Sequence, residues 1–296
     1  MEKATTTQAE SFKARVTREH RAAICLLVDS SASMQSQVTY EGRPLTQCEV
    51  AALSANSILK ELLCKSKVSD EIRDYYDVMI LVYCGNKIIS VFGDESGNHF
   101  RSITEIAKIG RGDTIVSLEA VTPFNSDDEE LRKSKFSIEP KGETPMYEAL
   151  DFAYEILKEW VERPENRDST PPIVTNLTDG HATDSTLEDI IEVSERIKSL
   201  ATKDGNTLLV NLFINEDAES MIFPTEEELE NCPNEFFRAM GRAASRVPAI
   251  FEPMVHHLRD ENAADKSQSG YRAVGLGISV EDMIAMMNIG TLVTTK

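Results

Sequence analysis

ICLLVDSSAS, residues 24–33, is an apolar run that ends in an acid and then sets hydroxyls at alternate positions. The run from Ala22 to Val28 has strand length and no polar interruption, the pattern of a strand covered on both faces. Its carboxyl end brings Asp29, Ser31 and Ser33 to one turn. One carboxylate and two hydroxyls outline a site for a hard metal ion. Two later segments share this character. Thr144 stands in KGETPMYEAL just before a helical pattern, and Asp179 follows the apolar run of PPIVTNLTDG. Ligands of open α/β sheets bind beyond the carboxyl ends of the strands, where both Asp29 and Asp179 are expected.

The rest of the chain alternates strand and helix patterns. Ala52, Ala55, Leu59, Leu62 and Leu63 recur at helical spacing within 45–65. DVMILVY (77–83) reads as a strand, and Gly85-Asn86 turns it into KIISVF (87–92), a hairpin. A helix with an apolar stripe of Met146, Ala149, Leu150, Ala153, Leu157 and Val161 follows Thr144-Pro145, placing Pro at its first position and Thr at its N-cap. Taken alone, Thr144 is that cap. Strands at 173–177 and 207–214 bracket a helix from about 187 to 201 with Thr186 as its cap, and short helices follow near 224–230 and 234–245. The expected fold is α/β: a doubly wound, Rossmann-like, mostly parallel sheet with one antiparallel strand and helices on both faces. The expected organisation is an N-terminal tail (1–20), a main domain (21–258), a polar linker (259–270) and a strand-helix extension (271–296). In that extension Met283, Ile284, Met286 and Met287 read as core packing or a docking helix.

The formal net charge of −19 over 296 residues argues against nucleic acid and against anionic membrane surfaces. No apolar run reaches the length of a membrane span, and the first twenty residues lack the apolar core of a signal peptide, so a cytoplasmic location is expected. The five cysteines, Cys25, Cys48, Cys64, Cys84 and Cys232, lack C-x-x-C spacing and read as reduced residues, mostly of the core.

The order D-x-S-x-S at 29–33, a Thr in a G-x-T-P turn at 142–145, and T-D-G at 178–180 resembles the metal-ion-dependent adhesion site (MIDAS) of von Willebrand factor type A (VWA) domains, over roughly residues 20–250. The resemblance implies a VWA fold and makes Asp29, Ser31, Ser33, Thr144 and Asp179 the metal set. Magnesium, or manganese or calcium in its place, keeps an open position there for a Glu or Asp of a protein partner. His181 and Asp184, in the same loop as Asp179, are candidate partner contacts. GETPMYEAL and LTDGHATD are similar to phrases of bacterial tellurium-resistance-associated VWA proteins. That likeness implies a stress- or phage-defence setting alongside a Ser/Thr kinase and a metal-dependent phosphatase. His181 departs from the Glu frequent in such relatives, and the 125–141 loop is long for them.

Catalysis is not expected. A haloacid-dehalogenase reading of the Asp29 strand needs a second acid two residues on, where this chain has Ser31. G-x-S-x-G and G-x-x-x-x-G-K-[ST] are both absent. The alternatives to a binding module are a metal-dependent phosphohydrolase and an adaptor for an AAA-type ATPase. The second would use the acidic surface and the Met-rich C-terminal helix.

Overall fold

The computed structural model describes residues 12–40, 42–94, 96–109, 142–214, 220–259 and 270–291. The 125–141 loop, and all of the 259–270 linker but its two end residues, lie outside that set. Among the described residues an eight-stranded sheet is built from β1 (Ala22–Asp29), β2 (Tyr76–Cys84), β3 (Lys87–Ser90), β4 (Arg101–Ser102), β5 (Ile173–Thr178), β6 (Leu208–Ile214), β7 (Met221–Ile222) and β8 (Val274–Ile278). Their order is β7-β8-β6-β5-β1-β2-β3, with β4 also on β2. The five strands from β8 to β2 are parallel. Within this sheet, antiparallel pairing is confined to β3, the expected hairpin strand, and to the two-residue strands β4 and β7. The fold is thus mixed α/β with a mostly parallel sheet.

Period-two alternation sends each central strand into two cores. From β1, Ile24, Leu26 and Val28 face one side with α1 (Gln47–Ser66), α2 (Ile103–Ile109), α7 (Glu252–Leu258) and α8 (Val280–Met287). Ala23, Cys25 and Leu27 face the other with α3 (Met146–Glu162), α4 (Leu187–Ser199), α5 (Glu226–Asn231) and α6 (Glu235–Ala243). Every residue of β1, β2, β5 and β6 is buried, which accounts for their near-continuous apolar runs.

Three local features differ from the sequence reading. Gln37–Tyr40 and Arg43–Thr46, where the sequence shows no strand pattern, pair as a hairpin, closed at its base by the Gln47 N–H on the Ser36 carbonyl at 2.9 Å. The segment expected as a C-terminal extension supplies β8, which lies between β6 and β7 in the sheet. Met283, Met286 and Met287 on α8 are buried in the core shared with α1, so they pack rather than present a docking face. At the other end, Phe12 and Val16 of the expected tail are buried in that same core, Phe12 with its ring 5.3 Å from Phe251.

Candidate metal centre

The chain runs from β1 to β2 on one side of the sheet and returns on the other side of β1 through β5. Strand order therefore reverses between β1 and β5, and an open α/β sheet leaves a crevice at that point beyond the strand ends. Asp29 is the last residue of β1, and Asp179 directly follows β5.

The turn after β1 is fixed by backbone bonds. Ser30 N–H donates to the Tyr83 carbonyl at 2.9 Å, and residues Ala32–Gln35 form a short 3-10 turn whose Met34 is fully buried. Asp29 is itself fully buried. Its Oδ1 accepts from Ser31 N–H at 2.7 Å, and its Oδ2 accepts from the Thr178 hydroxyl at 2.5 Å. Ser31 Oγ and Ser33 Oγ are 3.0 Å apart, and Ser33 Oγ donates to Asp179 Oδ1 at 2.8 Å. A chain of oxygens thus climbs from the buried Asp29 turn to the exposed Ser33 and the half-buried Asp179.

The Thr144 segment reaches this turn by a close backbone approach. Gly142 (φ +73°) passes so near Gly85 that a Cβ on Gly142 would lie 2.7 Å from the Gly85 Cα. Its carbonyl accepts from Ala32 N–H at 3.1 Å, and the Glu143 carbonyl accepts from Gly85 N–H at 2.8 Å. Thr144 N–H donates to Thr183 Oγ1 at 2.9 Å, while the Thr144 carbonyl accepts from Thr183 N–H at 3.0 Å. The 142–145 segment is clamped between the Ser31–Ser33 turn, the β2–β3 turn and the loop after Asp179, with Thr144 buried.

Thr144 does not cap α3. That helix begins at Met146 with no capping side chain from Pro145, and Asp184 supplies the cap from the other loop. Asp184 Oδ1 accepts from Tyr147 N–H at 3.2 Å and Oδ2 from Glu148 N–H at 3.0 Å. A carboxylate from a distant loop replaces a local hydroxyl because it reaches two of the four orphan N–H groups at once and complements the helix dipole. His181 is exposed, with its ring stacked 3.8 Å from that of Phe236 on α6 at 35°. Thr178 stands in the T-D-G motif, but its bond to Asp29 is not legible there: in a buried strand a Thr looks like any β-branched strand former.

Burial pushes the Asp29 carboxyl up to about 6, against the opposing hydrogen bonds from Thr178 and Ser31. Burial also holds Asp179 above the ordinary carboxylate range, opposed by Ser33. Among the described residues neither acid has a basic partner. Nor do three His, Cys, Asp or Glu side chains there cluster as a metal site. The donors are instead two carboxylates joined by hydroxyls. This all-oxygen set suits a hard divalent cation that keeps some of its water, and it leaves negative charge that such an ion would balance.

No family model matches this chain, and no curated protein matches it. Solved structures do. The manganese-loaded TRAP protein of Plasmodium vivax is 20% identical, with a TM-score of 0.41 over 78% of this chain and 66% of that one. A von Willebrand factor type A protein of Catenulispora acidiphila is 14% identical, with a TM-score of 0.41 over 81% of this chain and 42% of that one. Proximal thread matrix protein 1 of the mussel byssus, solved with zinc in its MIDAS motif, is 13% identical, with a TM-score of 0.35 over 68% of this chain and 37% of that one. At these identities and scores the likenesses carry no argument about function. Among the described residues, no helix is long and apolar enough to cross a membrane.

Proposed function

We propose that this chain is a VWA-type interaction module that holds a divalent cation, Mg²⁺ or Mn²⁺, at Asp29, Ser31, Ser33, Thr144 and Asp179, and through it a partner's carboxylate. One observation carries the reading: two desolvated carboxylates at the switch point of the sheet, bridged by two serine hydroxyls and lacking a basic partner among the described residues. Hydroxyl donors leave a bound cation under-neutralised, so a Glu or Asp side chain from outside is a fitting further ligand. That chemistry lets a chain of net charge −19 recognise an acidic group. A binding rather than catalytic role is supported by the serines, whose hydroxyls bond each other and Asp179, with no histidine beside them among the described residues. The GETPMYEAL and LTDGHATD phrases support a place beside a Ser/Thr kinase and a metal-dependent phosphatase in stress or defence signalling.

Titration calorimetry with Mn²⁺ alone, on wild type and Thr144→Ala, tests the metal. Saturable one-site binding that Thr144→Ala weakens supports the reading, and no binding to wild type overturns it. Affinity capture with both proteins, in Mg²⁺ and in EDTA, then tests the carboxylate. A partner held only by wild type with Mg²⁺, and lost when its Glu or Asp is changed to Gln or Asn, is the expected result.

A further inference from the structure

Thr144 and Asp179 stand on different loops, and Thr183 joins them. Four residues after Asp179, Thr183 meets Thr144 through two reciprocal hydrogen bonds. Its Oγ1 accepts from Thr144 N–H at 2.9 Å, and its own N–H donates to the Thr144 carbonyl at 3.0 Å. Both backbone groups of one proposed metal residue are thus held by the loop that carries another. The Gly142 carbonyl, two residues earlier, accepts from Ala32 N–H at 3.1 Å and ties the same segment to the Ser31–Ser33 turn. The two ties differ in kind. The Gly142 bond is backbone to backbone and depends on no side chain, whereas the Thr144 N–H ends on a side-chain hydroxyl. Thr144 is 5% exposed, so that N–H is costly to leave without its acceptor.

Asp184, the next residue, bears on Thr144 as well. A Thr just before a helix is ordinarily drawn into capping it. Here Asp184 already accepts from Tyr147 and Glu148 N–H, and Pro145 offers α3 no capping side chain. The Thr144 hydroxyl is therefore not spent on the helix end. A neutral hydroxyl holds a cation less strongly than a carboxylate does, so its worth in a metal site depends on being held in place beforehand, to within about 0.5 Å. Asp29, Ser31 and Ser33 share one turn, but Thr144 and Asp179 come from two others. Thr183 is exposed and fills no core, so its hydroxyl is not explained by packing. What it does is fix the Thr144 backbone against the Asp179 loop.

We propose that Thr183 is a positioning residue of the metal centre: its hydroxyl and its N–H clip Thr144 to the Asp179 loop and so set the spacing of those two ligands. The proposal rests on the metal-binding reading above. Thr183 acts through Thr144 and is not itself a ligand.

The test uses the full chain as wild type, Thr183→Val, Thr183→Ser, Thr144→Ala and the double variant Thr144→Ala with Thr183→Val, with folding checked by circular dichroism and melting in EDTA. Thr183→Val keeps the side chain's shape and the backbone bond and loses only the acceptor. Titrated with Mn²⁺ alone, it is expected to bind about 10–100-fold more weakly than wild type, the usual loss when a partner of a metal ligand is removed. Thr183→Ser, which keeps an acceptor, is expected to recover that affinity. In the Thr144→Ala background Thr183→Val is expected to add little, because residues that act as one unit are not lost twice. In EDTA, hydrogen exchange at the Thr144 amide is expected to quicken in Thr183→Val and to stay slow in wild type and Thr183→Ser. Wild-type Mn²⁺ affinity in Thr183→Val overturns this proposal alone, even where its Thr144 amide exchanges faster. Equal losses in Thr183→Val and Thr183→Ser overturn it too, because shape rather than the hydroxyl would then matter. So does a full further loss in the double variant, which would place the effect of Thr183 somewhere other than Thr144. Unchanged exchange at Thr144 in Thr183→Val removes the clip itself. No Mn²⁺ binding by wild type overturns the metal-binding reading and this proposal with it.

Discussion

Asp29 answers to two opposed demands, and its behaviour with pH separates them. Burial raises its carboxyl from about 3.8 to about 6, so the folded chain binds that proton more tightly than the unfolded chain does. The sign follows: without metal, this group favours the folded state at low pH, and the advantage is lost as pH rises through about 6. Its full size is on the order of 3 kcal/mol. A divalent cation does the reverse, since it needs the carboxylate. Melting curves with and without Mn²⁺ are therefore expected to show stabilisation by metal at pH 7.5 that shrinks as pH falls below about 6. Asp29→Asn removes the buried charge. It is expected to melt no lower than metal-free wild type at pH 7.5 and to show no Mn²⁺ response; retention of the wild-type response would remove Asp29 from the site. At this scale the sequence was informative where chemistry is crowded into a few positions, as at Asp29, Ser31, Ser33 and Asp179. It was silent on Thr178, whose hydroxyl acts across a strand boundary that only the register of β1 and β5 reveals.

Helix ends show the same division between local and distant information. Thr186 caps α4 in a capping box with Asp189, and both residues stand together in the sequence. The cap of α3 comes from Asp184, 36 and 37 residues beyond the N–H groups it accepts from, so no local pattern announces it and Thr144 takes its place in a sequence reading. Asp184→Ala is expected to lower stability by about 1 kcal/mol, read from the urea midpoint, with Asp184→Asn, which keeps one acceptor of the two, recovering only part of it. An unchanged midpoint in Asp184→Ala would mean that water serves those N–H groups equally well. The far end of β2 holds a second long-range tie: Asp77 accepts from Arg21 at 2.6 Å and from the fully buried Trp160 Nε1 at 3.0 Å. Asp77→Ala orphans that indole N–H and is expected to cost about 1–3 kcal/mol by the same measurement. Asp77→Asn, which keeps an acceptor for the indole, should cost less. The hairpin at 37–46 was hidden for another reason. Its exposed residues are Gln37, Thr39, Arg43 and Pro44 and only Val38 and Leu45 are buried, too few to print an alternating pattern.

The molecule is organised on a mostly parallel sheet whose central strands were legible as apolar runs, while their neighbours were not. A run such as YRAVGLGI says that a strand is buried but not which strand it lies beside, so residues 271–296 read as an appendage across a polar stretch. In the sheet, β8 covers the edge of β6 with a register running from Asn211↔Val274 to Ile214↔Ile278, and α8 closes the core over α1 with Met283 and Met286 fully buried. Removal of residues 270–296 would leave a central strand with an open edge and expose an apolar face, the two features that natural sheets avoid. Such a truncation is expected to abolish cooperative melting, to bind a hydrophobic dye, and to lose Mn²⁺ binding along with the fold, although none of the proposed metal residues is removed. If residues 270–296 were a separate docking helix, the truncated chain would melt as wild type does and keep its Mn²⁺ affinity, losing only a partner. Calorimetry of the two chains with Mn²⁺ therefore decides whether the C-terminal helix belongs to the structure that holds the site or to a surface beside it.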